Sequence, residues 1–335
     1  MDESHPPSRQ KILIIRFSSM GDIVLTSPVT RAIYQQCPNA EIHYLTRKGF
    51  ENLLQYDEHI SNIHVFNGDM CTLVDRLKLE KFDFAVDLQH NFRSWRLLSS
   101  LRVPYATFPK LNFRKWLRVC FKIDLLPRVH IVQRYFRAAL PLGVHDDGKG
   151  LYLRVPDSET FNTKVCPASF EDGFVAVVLG ATYFTKRIPP HKIIEIARLL
   201  HKPIFLLGGQ DVTQQGEDIA RELGSRAYNG CGKLNLYQSA SVIQQANCVL
   251  AADTGLMHIA AALQKPVATL WGNTIPEFGM YPYMPEKTDL YRQFEVPHLK
   301  CRPCSKLGFR HCPCGHFNCM EQQVSMDIAQ WINLF

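Results

Sequence analysis

The chain has 335 residues, 46% hydrophobic and 21% charged, with 11 cysteines and a formal net charge of +7. That length exceeds what one core organises, so two domains are expected, and no apolar run approaches the ~20 residues that span a bilayer. The opening "MDESHPPSRQ" is polar and acidic with no apolar leader, so a cytoplasmic protein is expected.

Along the chain, "KILIIRF" reads as a buried strand and "VLTSPVTRAIYQQC" as the helix after it. Between them, "RFSSMGDIVLTSP" holds one acid, Asp22, which either caps that helix or carries chemistry. "EIHYLT", "NIHVFN" and "FDFAVDL" read as further strands, separated by helices over "FENLLQY" and "MCTLVDRLKLEKF". The last strand runs into "QHNFRSWRLLSSL", where the basic residues begin. From Asn91 to Leu140, eleven Lys and Arg meet one acid, Asp124, a local +10 that leaves −3 on the rest of the chain. Charge this concentrated points to an anionic partner rather than to general solubility. Within it, "FPKLNFRKWLRVCFK" interleaves aromatics with cations. That suits an anionic membrane surface, or equally a solvated helix whose aromatics face a core. No nucleic-acid motif accompanies it, so no nucleic-acid partner is expected.

Turn-rich "GVHDDGKG" and "CPASFEDG" interrupt the rhythm, which then restarts. "FVAVVLG", "KPIFLLGG", "CVLAAD" and "PVATLWG" read as strands, alternating with helices over "HKIIEIARLLH", "TQQGEDIARELG", "LYQSASVIQQA" and "GLMHIAAALQ". The alternation predicts an α/β fold of two consecutive doubly wound units. Such sheets bind ligands outside the carboxyl ends of their strands. "FSSMGD", "DLQHNFRS", "LGATYFTKR", "LLGGQD", "AADTG" and "LWGNTIP" are therefore expected to line a cleft between facing domains.

Two of these loops carry anion-binding chemistry. "LGATYFTKRIPP" sets Thr182 and Lys186 after a strand and before a helix, which suits a phosphate or an ordinary solvated loop. In "AADTGLMHIAAAL", Asp253 caps a helix whose amides, with Thr254 and His258, would face an anion.

"R.SSMGDIVLTSP", "GAT...KR.P" and "ADTGLMHIAAAL.KPV..LWG.T.P" together resemble glycosyltransferase family 9, the ADP-heptose:lipopolysaccharide heptosyltransferases, over nearly the whole chain. The resemblance implies a GT-B fold of two Rossmann-like domains, an N-terminal acceptor domain over residues 1–165 and a C-terminal nucleotide-sugar domain over 166–320, with a last helix in 321–335 returning towards the first domain. It implies inverting transfer that needs no cofactor, with Asp22 as general base. Thr182 and Lys186 would contact the donor diphosphate, and Asp253, Thr254, Gly255 and His258 would surround the nucleotide or diphosphate. Gln210 or Asp211 stands where the family holds the ribose. On the acceptor side, Ser18 and Ser19 would let the Asp22 loop approach a hydroxyl, and Arg93 and Arg96 would face the anionic groups. The expected partners are ADP-heptose and an anionic lipopolysaccharide or glycolipid acceptor, met at the inner face of the cytoplasmic membrane. Another nucleotide sugar building a different surface glycan is the alternative within the family. A non-enzymatic, zinc-stabilised anion-binding protein is the alternative outside it.

Five cysteines crowd into "CRPCSKLGFRHCPCGHFNC". Cys301, Cys304, Cys312 and Cys319 form a candidate structural zinc set, although the spacing is not that of a regular zinc ribbon; a reduced, Cys-rich loop is the other reading. Disulfides suit a reducing compartment poorly. The six cysteines scattered elsewhere are expected mostly as small buried hydrophobes.

Overall fold

The computed structural model describes residues 10–335; residues 1–9, read above for the absence of a leader, lie outside the described residues. The chain forms two compact units. One runs up to Lys110 and adds Val129–Arg154; the other takes Leu111–Arg128 and Val155–Phe335.

The first unit contains β1 (Gln10–Ile15), α1 (Met20–Val24), α2 (Ser27–Gln36), β2 (Ala40–Arg47), β3 (Asn62–Phe66), α3 (Met70–Glu80), β4 (Phe84–Asp87), α4 (Phe92–Leu101) and β5 (Tyr105–Thr107). The basic helix α5 (Asn112–Phe121) belongs to the other unit, and α6 (Ile131–Ala139) returns to the first. Its five strands are all parallel in the order β3-β2-β1-β4-β5. Ile12, Leu13, Ile14 and Ile15 of the central strand are fully buried, as a strand covered on both faces requires.

The second unit contains β6 (Val175–Val178), α7 (Pro190–Leu199), β7 (Ile204–Leu207), α8 (Thr213–Leu223), β8 (Ala227–Asn229), α9 (Leu236–Gln245), β9 (Cys248–Ala252), α10 (Gly255–Ala262), β10 (Val267–Trp271), β11 (Tyr291–Glu295), α11 (Asn318–Glu321) and α12 (Ser325–Ile332). Its six strands are also parallel, in the order β11-β10-β9-β6-β7-β8. Each unit is thus a doubly wound Rossmann-like layer. Each has one switch point where strand order reverses, between β1 and β4 in the first sheet and between β6 and β9 in the second.

Several sequence expectations are revised. The helix expected over "VLTSPVTRAIYQQC" starts only at Ser27, as α2, and a separate short helix, α1, ends at Val24. Pro28 has no N–H to offer the Val24 carbonyl, and Ser27 Oγ donates to it instead at 2.7 Å. "FENLLQY" makes only a 3₁₀ turn at Glu51–Leu53, because Asp57 then accepts the His59 N–H at 3.0 Å and turns the chain. β8 and β11, not anticipated, are short edge strands. Of the six scattered cysteines, Cys37, Cys231 and Cys248 are buried, Cys166 is half-buried, and Cys71 and Cys120 are exposed.

The domain limits differ as well. The division falls near residue 155 rather than 165, and residues 111–128 sit in the second unit. There Val119 and Leu126 pack on Ile275 and Phe278, and Lys115 Nζ lies 5.5 Å from the centre of the Phe278 ring. The last helix, α12, is also part of the second unit. Ile328, Ala329, Trp331 and Ile332 join that unit's core, and Asn333 Nδ2 donates to the Leu199 carbonyl at the end of α7 at 3.0 Å.

Candidate active site

Most of the candidate residues lie at the two switch points. In the first sheet, the loop after β1 holds Arg16, Phe17, Ser18 and Ser19, and α1 presents Asp22. Asp22 Oδ1 lies 2.7 Å from Arg16 Nη2, while its Oδ2 accepts the Ser19 N–H at 3.1 Å and the Ser19 hydroxyl at 2.8 Å. Arg16 is itself fixed: Nε donates to the Ser18 carbonyl at 2.9 Å, and Nη1 to the Leu88 carbonyl just beyond β4. Burial opposes the charge on Asp22, but the Arg16 guanidinium and the two Ser19 donors outweigh it and hold the carboxyl below its usual range. Asp22 therefore does cap the first turn, and it is also a half-buried, ionised carboxylate at the strand ends.

The loop after β4 is organised by Asp87. This buried acid accepts the N–H groups of Gln89 (2.9 Å) and His90 (2.8 Å) and the Ser94 hydroxyl (2.7 Å), and Asn91 then caps α4. Arg93 and Arg96 emerge exposed on α4. The Arg93 guanidinium lies over the rings of Phe17 (5.7 Å) and Phe66 (5.4 Å). It joins Arg47, Lys48, Asn67 and Gly68 around an open pocket of about 310 Å³ with no acid in its lining. Arg47 and Lys48 were not foreseen, since each looks like an ordinary polar residue at a strand end.

In the second sheet, the loops after β6 and β9 flank the switch point. Lys186 Nζ is 2.6 Å from Asp253 Oδ2, which also accepts the Thr274 hydroxyl at 2.9 Å. Gly255 begins α10, with Thr254 at its N-cap and His258 buried in its second turn. Thr254 Oγ1 has no hydrogen-bond partner among the described residues, nor has either polar atom of the buried Asn273 side chain, which precedes Thr274. A buried polar atom that neither protein, water nor ligand meets costs roughly 1–3 kcal/mol. Gly272 is required here: a Cβ would stand 2.7 Å from the Thr185 carbonyl oxygen.

Thr182, on the loop after β6, and Gln210, on the loop after β7, are exposed. Asp211 is held by Arg187, 2.5 Å away, which also donates to the Ala181 carbonyl at 3.0 Å. Asn273 was missed as an individual residue because an asparagine in "LWGNTIP" carries no signal until its burial is known.

The family model of glycosyltransferase family 9 (heptosyltransferase) matches residues 70–308. The chain belongs to this family. Among its relatives, lipooligosaccharide heptosyltransferase 2 of Haemophilus influenzae is 25% identical, over 90% of this chain and 93% of that one. Lipopolysaccharide heptosyltransferase 2 of Salmonella typhimurium is 26% identical, over 80% and 84%. Among solved structures, Escherichia coli ADP-heptose lps heptosyltransferase II aligns with a TM-score of 0.71 at 20% identity, covering 97% of this chain and 98% of that one. An E. coli heptosyltransferase with ADP aligns with a TM-score of 0.69 at 19% identity, covering 97% and 99%. These likenesses make the two parallel sheets a GT-B fold, and the family makes the protein a glycosyltransferase. The non-enzymatic alternative is set aside on that ground.

The cysteine cluster of this family 9 chain is arranged differently from the expected zinc set. The ligand atoms of Cys301, Cys314 and His316 lie within 4.8 Å of one another, and among the described residues Cys304, Cys312 and Cys319 do not complete that group. Gly315, at φ +72°, turns the chain so that Cys314 and His316 flank one point, whereas Cys319 is buried in the core. Burial, with neighbouring thiols adding to it, pushes Cys304 up to about 12. A second cluster, His43, His64 and Glu80, reads as a hydrogen-bonded network. His43 Nδ1 is 2.8 Å from His64 Nε2, and Glu80 pairs with Lys11 at 2.9 Å.

Proposed function

We propose that the protein transfers a heptose from ADP-heptose to the inner core of a lipopolysaccharide, inverting the anomeric centre, with Asp22 as the general base. The observation that carries this reading is the Lys186–Asp253 pair at the second switch point, bordered by the unpartnered Thr254 hydroxyl and Asn273 amide. A cation, a helix N-terminus and unfilled donors at one crevice suit a nucleoside diphosphate. The names of the relatives support the sugar and the acceptor class.

In the reaction, the acceptor hydroxyl forms the new C–O bond at the anomeric carbon and gives its proton to Asp22. The bond from that carbon to the phosphate oxygen breaks on the opposite face, and ADP departs with the electron pair. Lys186 and the first amides of α10 take up the developing negative charge, so this reading needs no cofactor. Asp253 orients Lys186. Thr182, Gln210 and His258 complete the donor contacts.

Arg47, Lys48 and Arg93 would take a carboxylate or phosphate of the acceptor, with Arg96 one turn further on. Ser19 would hold Asp22 towards the hydroxyl, and Ser18 would hold the loop through its bond to Arg16. α5 would meet the inner face of the cytoplasmic membrane. It exposes Phe113, Trp116 and Phe121 beside Arg114, Lys115 and Arg118, with none of its own residues buried.

The test is transfer from a panel of nucleotide sugars to a purified inner-core acceptor. ADP-heptose is expected to give the inverted glycoside. Turnover of another nucleotide sugar with none of ADP-heptose would overturn the donor assignment. A second measurement concerns Asn273→Leu. Removing an unpaired buried amide should raise the stability of ligand-free protein by about 1 kcal/mol, roughly 2 °C in Tm, and shrink the Tm rise produced by ADP. An unchanged ADP shift would remove Asn273 from the donor site.

A further inference from the structure

The geometry points to a structural zinc site formed by Cys301, Cys314 and His316 that clamps the 301–316 loop onto the donor loops and α5, with the Cys304 thiol turning in from outside that group, off the Cys301 carbonyl, as fourth ligand. The three ligand atoms already converge within 4.8 Å. A four-coordinate zinc with Zn–S near 2.3 Å and Zn–N near 2.0–2.1 Å needs them drawn in by only about 1 Å. Two thiolates and an imidazole are a soft, borderline set that suits zinc rather than magnesium or calcium. A disulfide between the cysteines would leave the imidazole without a role.

Two local chelates build the site, Cys301-x-x-Cys304 and Cys314-x-His316. Cys304 is held beside Cys301, its Sγ 3.0 Å from the Cys301 carbonyl oxygen. His316 Nδ1 accepts the Asn318 N–H at 3.0 Å. Metal bound at either ring nitrogen gives up that one contact, because Nδ1 then holds the metal or a proton.

What the loop touches says why it would be clamped. Cys304 N–H donates to the Asn273 carbonyl at 3.1 Å, and Arg302 donates to the carbonyls of Gly272 (2.6 Å) and Thr274 (3.0 Å). Phe309 exchanges two bonds with Thr185, next to Lys186: its N–H reaches Oγ1 at 2.9 Å and its carbonyl accepts the Thr185 N–H at 3.2 Å. Lys122, just beyond α5, donates to the carbonyls of Cys301 (3.1 Å) and Pro303 (2.8 Å). One clamp would therefore steady three segments that share no secondary structure. These positions act through the loops they hold, and the inference does not depend on the donor or acceptor assigned above.

The test uses the full chain purified without chelators, loaded with zinc and freed of excess metal by gel filtration. About one zinc per chain is expected. Cys314→Ser and the exposed His316→Gln should each lower that content at least fivefold, while Cys120→Ser, on α5, should keep it. Cobalt exchanged into the protein should show a sulfur-to-cobalt charge-transfer band that His316→Gln weakens. Stripping the metal from unmodified protein should speed amide hydrogen exchange in residues 112–124 and 301–316, and zinc should restore it. Less than one metal in ten chains, full retention in both ligand variants, or a Cys301–Cys314 disulfide in unreduced protein would each overturn the proposal.

Discussion

Asp22→Asn is expected to lower kcat for sugar transfer by about 10²–10⁴, the usual worth of a positioned base, with little change in the KM for the donor. The carboxylate sits between Arg16 and Ser19, which hold its pKa below the usual carboxylate range. That makes it a weak base, but a weak base suffices here. The acceptor hydroxyl becomes strongly acidic only as its new bond to carbon forms, so its proton can leave late to a group of low pKa.

The pH dependence follows with a definite sign. Burial alone would raise Asp22, whereas Arg16 and Ser19 lower it. Activity should therefore hold as pH falls to about 4, the ordinary carboxylate value, and fail only below it. The same group contributes stability that is present above its unfolded pKa and is lost as pH falls through the lowered folded value. Arg16→Gln removes the largest lowering influence and leaves burial less opposed, so the acid limb of kcat/KM should move up in pH. Normal transfer by a folded Asp22→Asn protein would falsify the base assignment. An acid limb unmoved in Arg16→Gln would show that Arg16 does not tune it.

Lys186→Met should cost about 10²–10³ in kcat/KM for the donor, or roughly 2.7–4 kcal/mol, the range found for removing one preorganised group facing developing charge. Lys186→Arg should recover part of that loss, since it keeps the charge but not the compact ammonium. Removing Lys186 also leaves the half-buried Asp253 with the Thr274 hydroxyl alone. Some loss of stability should follow, and urea unfolding of both variants separates it from catalysis. If ADP binding and turnover in Lys186→Met stayed within threefold of the parent, the lysine would be only a structural partner of Asp253.

The strand–loop–helix alternation and the three matched stretches made the two sheets and the Asp22, Lys186 and Asp253 positions legible in the sequence. Those features are local, because a strand end and the next helix cap fix where a loop residue lies. Arg16 was less so: it ends an apolar run, and only β4 folding beside β1 brings the Leu88 carbonyl to its guanidinium. The placement of α5 had no local signal at all, because it is settled by Val119 and Leu126 meeting Ile275 and Phe278 some 150 residues away. The arrangement of the cysteine cluster was hidden for a similar reason. Spacing favoured Cys312 and Cys319, but the turn at Gly315 brings the exposed Cys314 and His316 beside Cys301, and the helix at Asn318 places Cys319 in the core.

Because residues 111–128 belong to the second unit while the chain on either side belongs to the first, no single cut divides this polypeptide into two whole parts. A fragment ending at residue 154 would carry α5 without the surface that receives it, and the complementary fragment would expose Ile275 and Phe278 to water. Chimaeras that exchange first units between relatives need two junctions more than a linear plan suggests, with α5 travelling alongside the second unit. Evolution recombining these halves faces the same constraint, which ties the aromatic, basic helix to the partner it touches rather than to its neighbours in sequence.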